Sequence, residues 1–324
     1  MIVDCHAHLV PPALLDEIRA RASEFPSVEV REEGGSLAFA FAGRRPTRPV
    51  SRPLSDISGR CDWMDGQGIG RQVVGGWLDM FGYEIPAGEG LAWSRLVNRH
   101  LLAAGHDNRR FVPLATVPLQ DGAAAAEILT EAMEAGFAGV MIGTQPKGAG
   151  GVLDDADLEP FWAAAHRLGA VVFVHPVFES GDDRVHDYGM ANAIGRVTDT
   201  MIAMSRLLYS GHVLDYSGAR IVASVGGAAL PYVAGRLRRN HAIAEGLADP
   251  DAALRALYYD TVVHDARTLR FLVDSVGADR VMMGSDMPFP IGDPEPMGVV
   301  AAAGLGAAET DRMNGGLAAE LFGL

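Results

Sequence analysis

Cysteine, lysine, net positive charge and long apolar runs are all scarce in this chain, and each shortage removes a class of protein. Two cysteines, Cys5 and Cys61, in 324 residues exclude a disulfide framework and a thiolate metal cluster. No basic segment followed by an apolar one opens the sequence, and no uncharged run is long enough to cross a bilayer. The expectation is therefore a cytoplasmic protein with no membrane partner. Lys+Arg number 27 against 41 Asp+Glu, a formal charge of −14, which argues against nucleic acid, since that partner needs clustered positive charge. Lys147 is the sole lysine, so nearly every cation is a guanidinium. What is present is an ordinary globular composition, 48% hydrophobic and 21% charged, able to bury a substantial core.

Short β-branched runs alternate with Ala- and Leu-rich periodic stretches, the mark of repeated βα units and a parallel sheet. Strands are expected near 2–5, 71–75, 111–116, 138–142, 171–175, 220–225, 257–262 and 280–284, with helices near 12–22, 87–106, 122–135, 158–168, 193–210, 231–245, 265–276 and 308–322. Eight strands with intervening helices predict an α/β protein, a (β/α)8 TIM barrel, as a single domain over 1–324. The stretch 26–56 breaks the rhythm. Two alternating runs flank Glu32-Glu33-Gly34-Gly35, which predicts a small β-hairpin insertion.

Three strand-like runs end in groups that bind metals. Ile2-Val3-Asp4-Cys5-His6-Ala7-His8 puts two imidazoles on one face of the first strand, about 6.5–7 Å apart at Cα, so both can reach one ion. Val171-Val172-Phe173-Val174-His175 supplies a third histidine, and Arg280-Val281-Met282-Met283-Gly284-Ser285-Asp286 ends in an acid. In a barrel of this kind, the C-terminal strand ends carry the catalytic groups. His6, His8, His175 and Asp286 are thus the expected metal ligands. Three nitrogen donors and one carboxylate suit zinc with a position left open for water or substrate, and manganese, iron or cobalt also fit.

Several motifs give the chain a family likeness. They are Asp4-Cys5-His6-Ala7-His8 with Pro11, Met64-Asp65-Gly66-Gln67-Gly68, Met80-Phe81-Gly82-Tyr83, Val117-Pro118-Leu119-Gln120-Asp121, His175-Pro176, Gly226-Gly227 through Gly235-Arg236, and Gly284-Ser285-Asp286-Met287-Pro288-Phe289-Pro290. With them the chain resembles, nearly end to end, the amidohydrolase superfamily in its α-amino-β-carboxymuconate-ε-semialdehyde decarboxylase branch. The resemblance implies a mononuclear zinc site on His6, His8, His175 and Asp286. No lysine falls in the fourth strand, where binuclear members hold a bridging carbamate, and Lys147 lies beyond it, so a single metal is expected. The resemblance also implies that Arg48 binds a substrate carboxylate and that Arg236 reaches the site of the neighbouring subunit in a homodimer. Guanidinium forks suit both tasks. Tyr188 falls where the branch has a substrate-side tryptophan, and Phe289 is expected on the substrate side as well.

One position departs from the pattern. Where the branch has an acid–base histidine at the end of the sixth strand, Ile221-Val222-Ala223-Ser224-Val225 places a valine, which cannot move a proton. His264, beyond the seventh strand, is the candidate replacement. The expected activity is decarboxylation of a small conjugated or aromatic carboxylic acid, with Asp286 exchanging the proton. The competing expectations are metal-dependent hydrolysis or hydration of a related anion, and an inactive variant that lacks a histidine at 225.

Overall fold

The computed structural model describes residues 1–148, 150–177 and 182–324. Its strands in chain order are β1 (Val3–His8), β2 (Val28–Glu33), β3 (Ser36–Phe41), β4 (Arg71–Gly75), β5 (Phe111–Pro113), β6 (Gly139–Gly143), β7 (Val171–His175), β8 (Arg220–Ala223), β9 (Tyr258–Asp260) and β10 (Val281–Met282). β1, β4 and β5 form one parallel sheet, β6 through β10 a second, and β2 pairs antiparallel with β3. The two parallel sheets meet at both edges. On one side Ala115 bridges Val140, its N–H donating to Gly139 O at 3.0 Å. On the other Ala7 bridges Met287, and the Cys5 N–H donates to Met283 O at 2.9 Å. The strand order therefore returns on itself, giving the expected α/β fold of eight parallel strands.

The strands are buried on both faces, which is why they read as continuous apolar runs rather than alternating ones. Helices cover the outside, each begun and ended by local chemistry. The helix Gly122–Ala135, for example, starts where the Asp121 carboxylate accepts the Ala124 N–H and stops at Gly136, whose φ of +96° only glycine adopts at little cost. Among the described residues no helix is long and apolar enough to cross a membrane.

The hairpin insertion lies where the sequence places it. Gly34 and Gly35 take φ of +60° and +83°, as a two-residue type I′ turn demands. The inner strand packs Phe39 and Phe41 on Trp93. The chain then doubles back along β3, with the Thr47 N–H donating to Phe39 O and the Val50 N–H to Leu37 O, both at 2.8 Å. That return strip carries Arg48.

Several boundaries differ from expectation, the strand expected over 111–116 ending at Pro113 and the helix over 231–245 at His241, and three others have a local cause. The strand expected over 220–225 ends at Ala223, because Val225, Gly226 and Gly227 all take left-handed φ, between 56° and 70°, and no strand continues through that region. The last strand, expected over 280–284, pairs with β9 only at Val281 and Met282, since Met283 turns its carbonyl to β1 instead. The final helix, expected over 308–322, is interrupted at Arg312–Gly316 by a wider turn, where a side chain at Gly315 would strike Met1 O at 2.1 Å.

Candidate metal centre

β1 brings His6 and His8 to one face by simple alternation, β7 ends in His175, and Asp286 follows β10 by four residues. The side-chain ligand atoms of these four residues all lie within 4.8 Å of one another, and all four residues are buried. Asp286 Oδ1 is the centre of the group, 3.1 Å from His8 Nε2, 3.4 Å from His6 Nε2 and 3.8 Å from His175 Nε2.

The other nitrogen of each ring fixes what faces the centre. His8 Nδ1 lies 3.1 Å from Gly76 O and His175 Nδ1 2.8 Å from Pro176 O. A carbonyl oxygen only accepts, so both Nδ1 atoms carry the hydrogen and, in the neutral rings, both Nε2 atoms offer a lone pair. His6 Nδ1 is held at 2.7 Å by Asp260 Oδ2, and its Nε2 is buried with no hydrogen-bond partner. Three inward lone pairs thus surround a carboxylate oxygen in a buried site, an arrangement that repels itself unless a cation sits among them. Four ligand atoms about 2.1 Å from one ion at tetrahedral angles lie about 3.4 Å apart, close to the 3.1–3.8 Å that separate Asp286 Oδ1 from the three nitrogens. The donor set therefore fits a divalent metal.

Burial dominates the electrostatics of the histidines. It pushes His175 down to about 3, helped by the neighbouring His8 and His6 rings, and lowers His8 as well. His6 is buried too, but Asp260 and Asp286 more than offset that and raise it. Burial would push Asp286 up, yet the His175, His6 and His8 rings outweigh it and hold the carboxyl well below its usual range. The centre keeps an ionised carboxylate facing at least two neutral imidazoles, the protonation state in which such groups ligate.

Two buried carboxylates hold these ligands in place. Asp260 accepts, besides His6, the backbone N–H groups of Val225 (3.0 Å), Gly226 (2.7 Å) and Val262 (3.1 Å). Asp4 accepts from Gln72 Nε2 (2.8 Å), the Ser285 N–H (2.9 Å) and the His6 N–H (3.1 Å), which ties β1 to the turn that aims Asp286. Arg60 completes that layer, donating to Gln72 Oε1 at 2.8 Å and to His8 O at 3.0 Å. Burial raises Asp4, and it lowers Arg60 to about 10.

The other expected site residues divide into those the fold brings near the centre and those it does not. Val225 and His264 line, with His175 and Asp286, a small cavity of about 40 Å³ over the ligands. Phe289 packs on His8 with ring centroids 4.9 Å apart. Arg48 lines an adjacent cavity of about 550 Å³ and lies 3.5 Å from Asp79. Arg236 is exposed on the helix Leu230–His241 and borders neither cavity, and Tyr188 stands 97% exposed.

Sequence reasoning passed over Arg196, Asp79, Asp260 and Asp4. Arg196 lines the small cavity, and Asp79 is nearly buried, its carboxyl raised by that burial against the opposing pull of Arg48 and Arg196. A usable signal existed for Asp260, because Leu257-Tyr258-Tyr259-Asp260 is another apolar run ending in an acid. Arg196 gave none, since it is one polar residue inside an expected helix, 193–210, with no motif around it.

Comparison with known proteins finds relatives over most of the chain. The amidohydrolase family profile (Amidohydro_2) matches residues 3–324. The chain is 29% identical over 255 residues to 2-amino-3-carboxymuconate-6-semialdehyde decarboxylase of Dictyostelium discoideum, covering 76% of this chain and 70% of that protein. In fold it matches the crystal structure of 5-carboxyvanillate decarboxylase from Sphingomonas paucimobilis with a TM-score of 0.83 at 22% identity, over 100% of this chain and 99% of that one. A second such decarboxylase, from Novosphingobium aromaticivorans, was crystallised with manganese and 4-hydroxy-3-methoxy-5-nitrobenzoic acid; it matches with a TM-score of 0.81 at 20% identity, over 100% of this chain and 96% of that one.

Proposed function

The chain belongs to the amidohydrolase family, and we propose that it is a metal-dependent decarboxylase of a small aromatic or conjugated carboxylic acid. The observation that carries this reading is the convergence of three imidazole Nε2 atoms on Asp286 Oδ1 in a buried site. The decarboxylase relatives support the choice of reaction. His6, His8, His175 and Asp286 would hold one ion. We favour zinc from the donor set, with manganese, the ion in the Novosphingobium structure, as the alternative. When bound, the metal would supply Lewis acidity to the oxygen beside the scissile bond.

The chain's own residues account for the rest. Arg196, which lines the cavity over the ligands, and Arg48, which lines the larger one, would orient the substrate's anionic end. Arg236 of the partner subunit would add a third guanidinium, and Phe289, packed on His8, would belong with Tyr188 to the substrate side. Asp286, ionised in the resting centre, takes a proton from water and passes it to the carbon that bears the carboxylate. The C–C bond then breaks, its electron pair restores conjugation, carbon dioxide leaves, and the hydroxide left behind is reprotonated from solvent. Val225 contributes only an apolar wall. Any second proton carrier must come from His264, across the same small cavity.

The test is carbon dioxide release from 5-carboxyvanillate, 6-methylsalicylate and 2,6-dihydroxybenzoate by metal-loaded protein. Release that falls at least ~100-fold in Asp286→Asn is expected, and an intact rate in that variant would refute the proton role. Val225 favours one second reading, a metal-binding relative whose chemistry is disabled. Under that reading Val225→His raises the rate by orders of magnitude, whereas no gain leaves Asp286 as sufficient.

A further inference from the structure

The space over the ligands, about 40 Å³, is close to the ~30 Å³ share of one water molecule, so it cannot hold the body of an aromatic acid. The adjacent cavity of about 550 Å³ lies inside the range of roughly 300–1,000 Å³ typical of small-ligand sites. Asp79 joins the two spaces. It lines the larger one, pairs with Arg48 at 3.5 Å, and its charge acts on Arg196, which lines the smaller one, and on the ligand His8. Val177, two residues beyond His175, also lines the larger cavity. An acid that presents its carboxyl end to the centre must therefore lay its body there.

The far rim of that cavity is basic. Arg44 and Arg45 both line it, and neither guanidinium has an ion pair among the described residues, in a chain where acids outnumber bases 41 to 27. The other carboxylate of the cavity, Glu84, forms no ion pair with either among the described residues, although it faces the same glycine as Arg44: a Cβ on Gly148 would stand 3.5 Å from Arg44 Nη2 and 3.4 Å from Glu84 Oε1. Gly148 has φ of +78°, so the bare backbone leaves the guanidinium room to lean into the cavity. Between rim and centre the walls are aromatic, with Phe41, Phe81 and Tyr83; the Tyr83 hydroxyl accepts the Gly143 N–H at 3.1 Å, which fixes its ring.

We propose that Arg44 and Arg45 form a distal anion subsite, and that the substrate is an extended acid with two anionic groups. One carboxylate would sit at the metal centre, an aromatic body over Phe41 and Phe81, and a second anionic group at the rim. This rests on the decarboxylase reading and narrows its substrate class.

Calorimetric titration of the manganese-loaded protein with 5-phenylsalicylate and with 5-(4-carboxyphenyl)salicylate tests it. The diacid is expected to bind about tenfold more tightly, the worth of one charge-assisted contact. In Arg44→Gln/Arg45→Gln that preference should shrink to about twofold or less, with the monoacid affinity and the metal content unchanged. Equal affinity in the unaltered protein, or a preference that survives in the double variant, overturns the subsite and leaves the decarboxylase reading standing. Failure of metal-loaded protein to bind either acid overturns the parent reading, and the subsite with it.

Discussion

At the scale of single residues, Val225 is the most informative position. It sits at φ 56°, ψ 45°, a region that β-branched side chains avoid. What holds it there is its N–H, donated with that of Gly226 to Asp260, and so indirectly to His6. The strain is of order 1–3 kcal/mol. Val225→Asn should therefore stabilise the protein by about 1 kcal/mol, since asparagine accepts left-handed backbone. The midpoint of urea unfolding checks this, and an unchanged or lower midpoint refutes it. Asp260→Asn should lower metal affinity by about 10- to 100-fold through loss of its hold on the His6 ring. Competition with a chelator measures that, and His6→Ala protein that keeps a full equivalent of metal would overturn the ligand set itself.

At the scale of elements, the helix Arg196–Tyr209 positions a cavity residue by way of a buried carboxylate. Asp199, one turn beyond Arg196, accepts from the Thr144 hydroxyl and from Gln145 Nε2 at 2.9 Å, so the helix is pinned to the end of β6. Burial raises the Asp199 carboxyl, while these two donors oppose the rise. Asp199→Ala removes the acceptor of both bonds in a buried place and should cost about 1–3 kcal/mol. Because the same change loosens Arg196 and not the ligands, KM should rise while metal content stays whole. A variant with normal KM would show that the pin does not position Arg196.

At the scale of the whole molecule, the centre makes stability depend on pH. Burial and its neighbouring imidazoles hold His175 at about 3 in the folded protein, against 6.5 when unperturbed. The unfolded chain thus takes up this proton first as pH falls, so the His175 contribution is complete above pH 6.5 and is lost progressively toward pH 3. In metal-free protein the gap between the urea midpoints of wild type and His175→Gln should narrow over that window. A gap that does not vary with pH would refute it. Bound metal adds stability at every pH where the ligands are deprotonated, so chelation should lower the Tm.

The extent of the fold visible in the sequence follows from the same physics. The alternation of His6 and His8, the apolar run into His175 and the hairpin flanking Gly34-Gly35 are local patterns, set by side-chain period and by backbone that glycine permits. They needed no tertiary knowledge, and neither did the parallel sheet, whose doubly buried strands leave an apolar run in the sequence. Tertiary structure alone decided which distant groups meet. The closure of β10 on β1 places Asp286 against His6 and His8, Asp260 reaches His6 across 254 positions, and Arg196, Arg44 and Arg45 arrive at their cavities from a helix start and a loop. Such meetings depend on how eight strands close and where their connections fold back, and no periodicity along the chain encodes them.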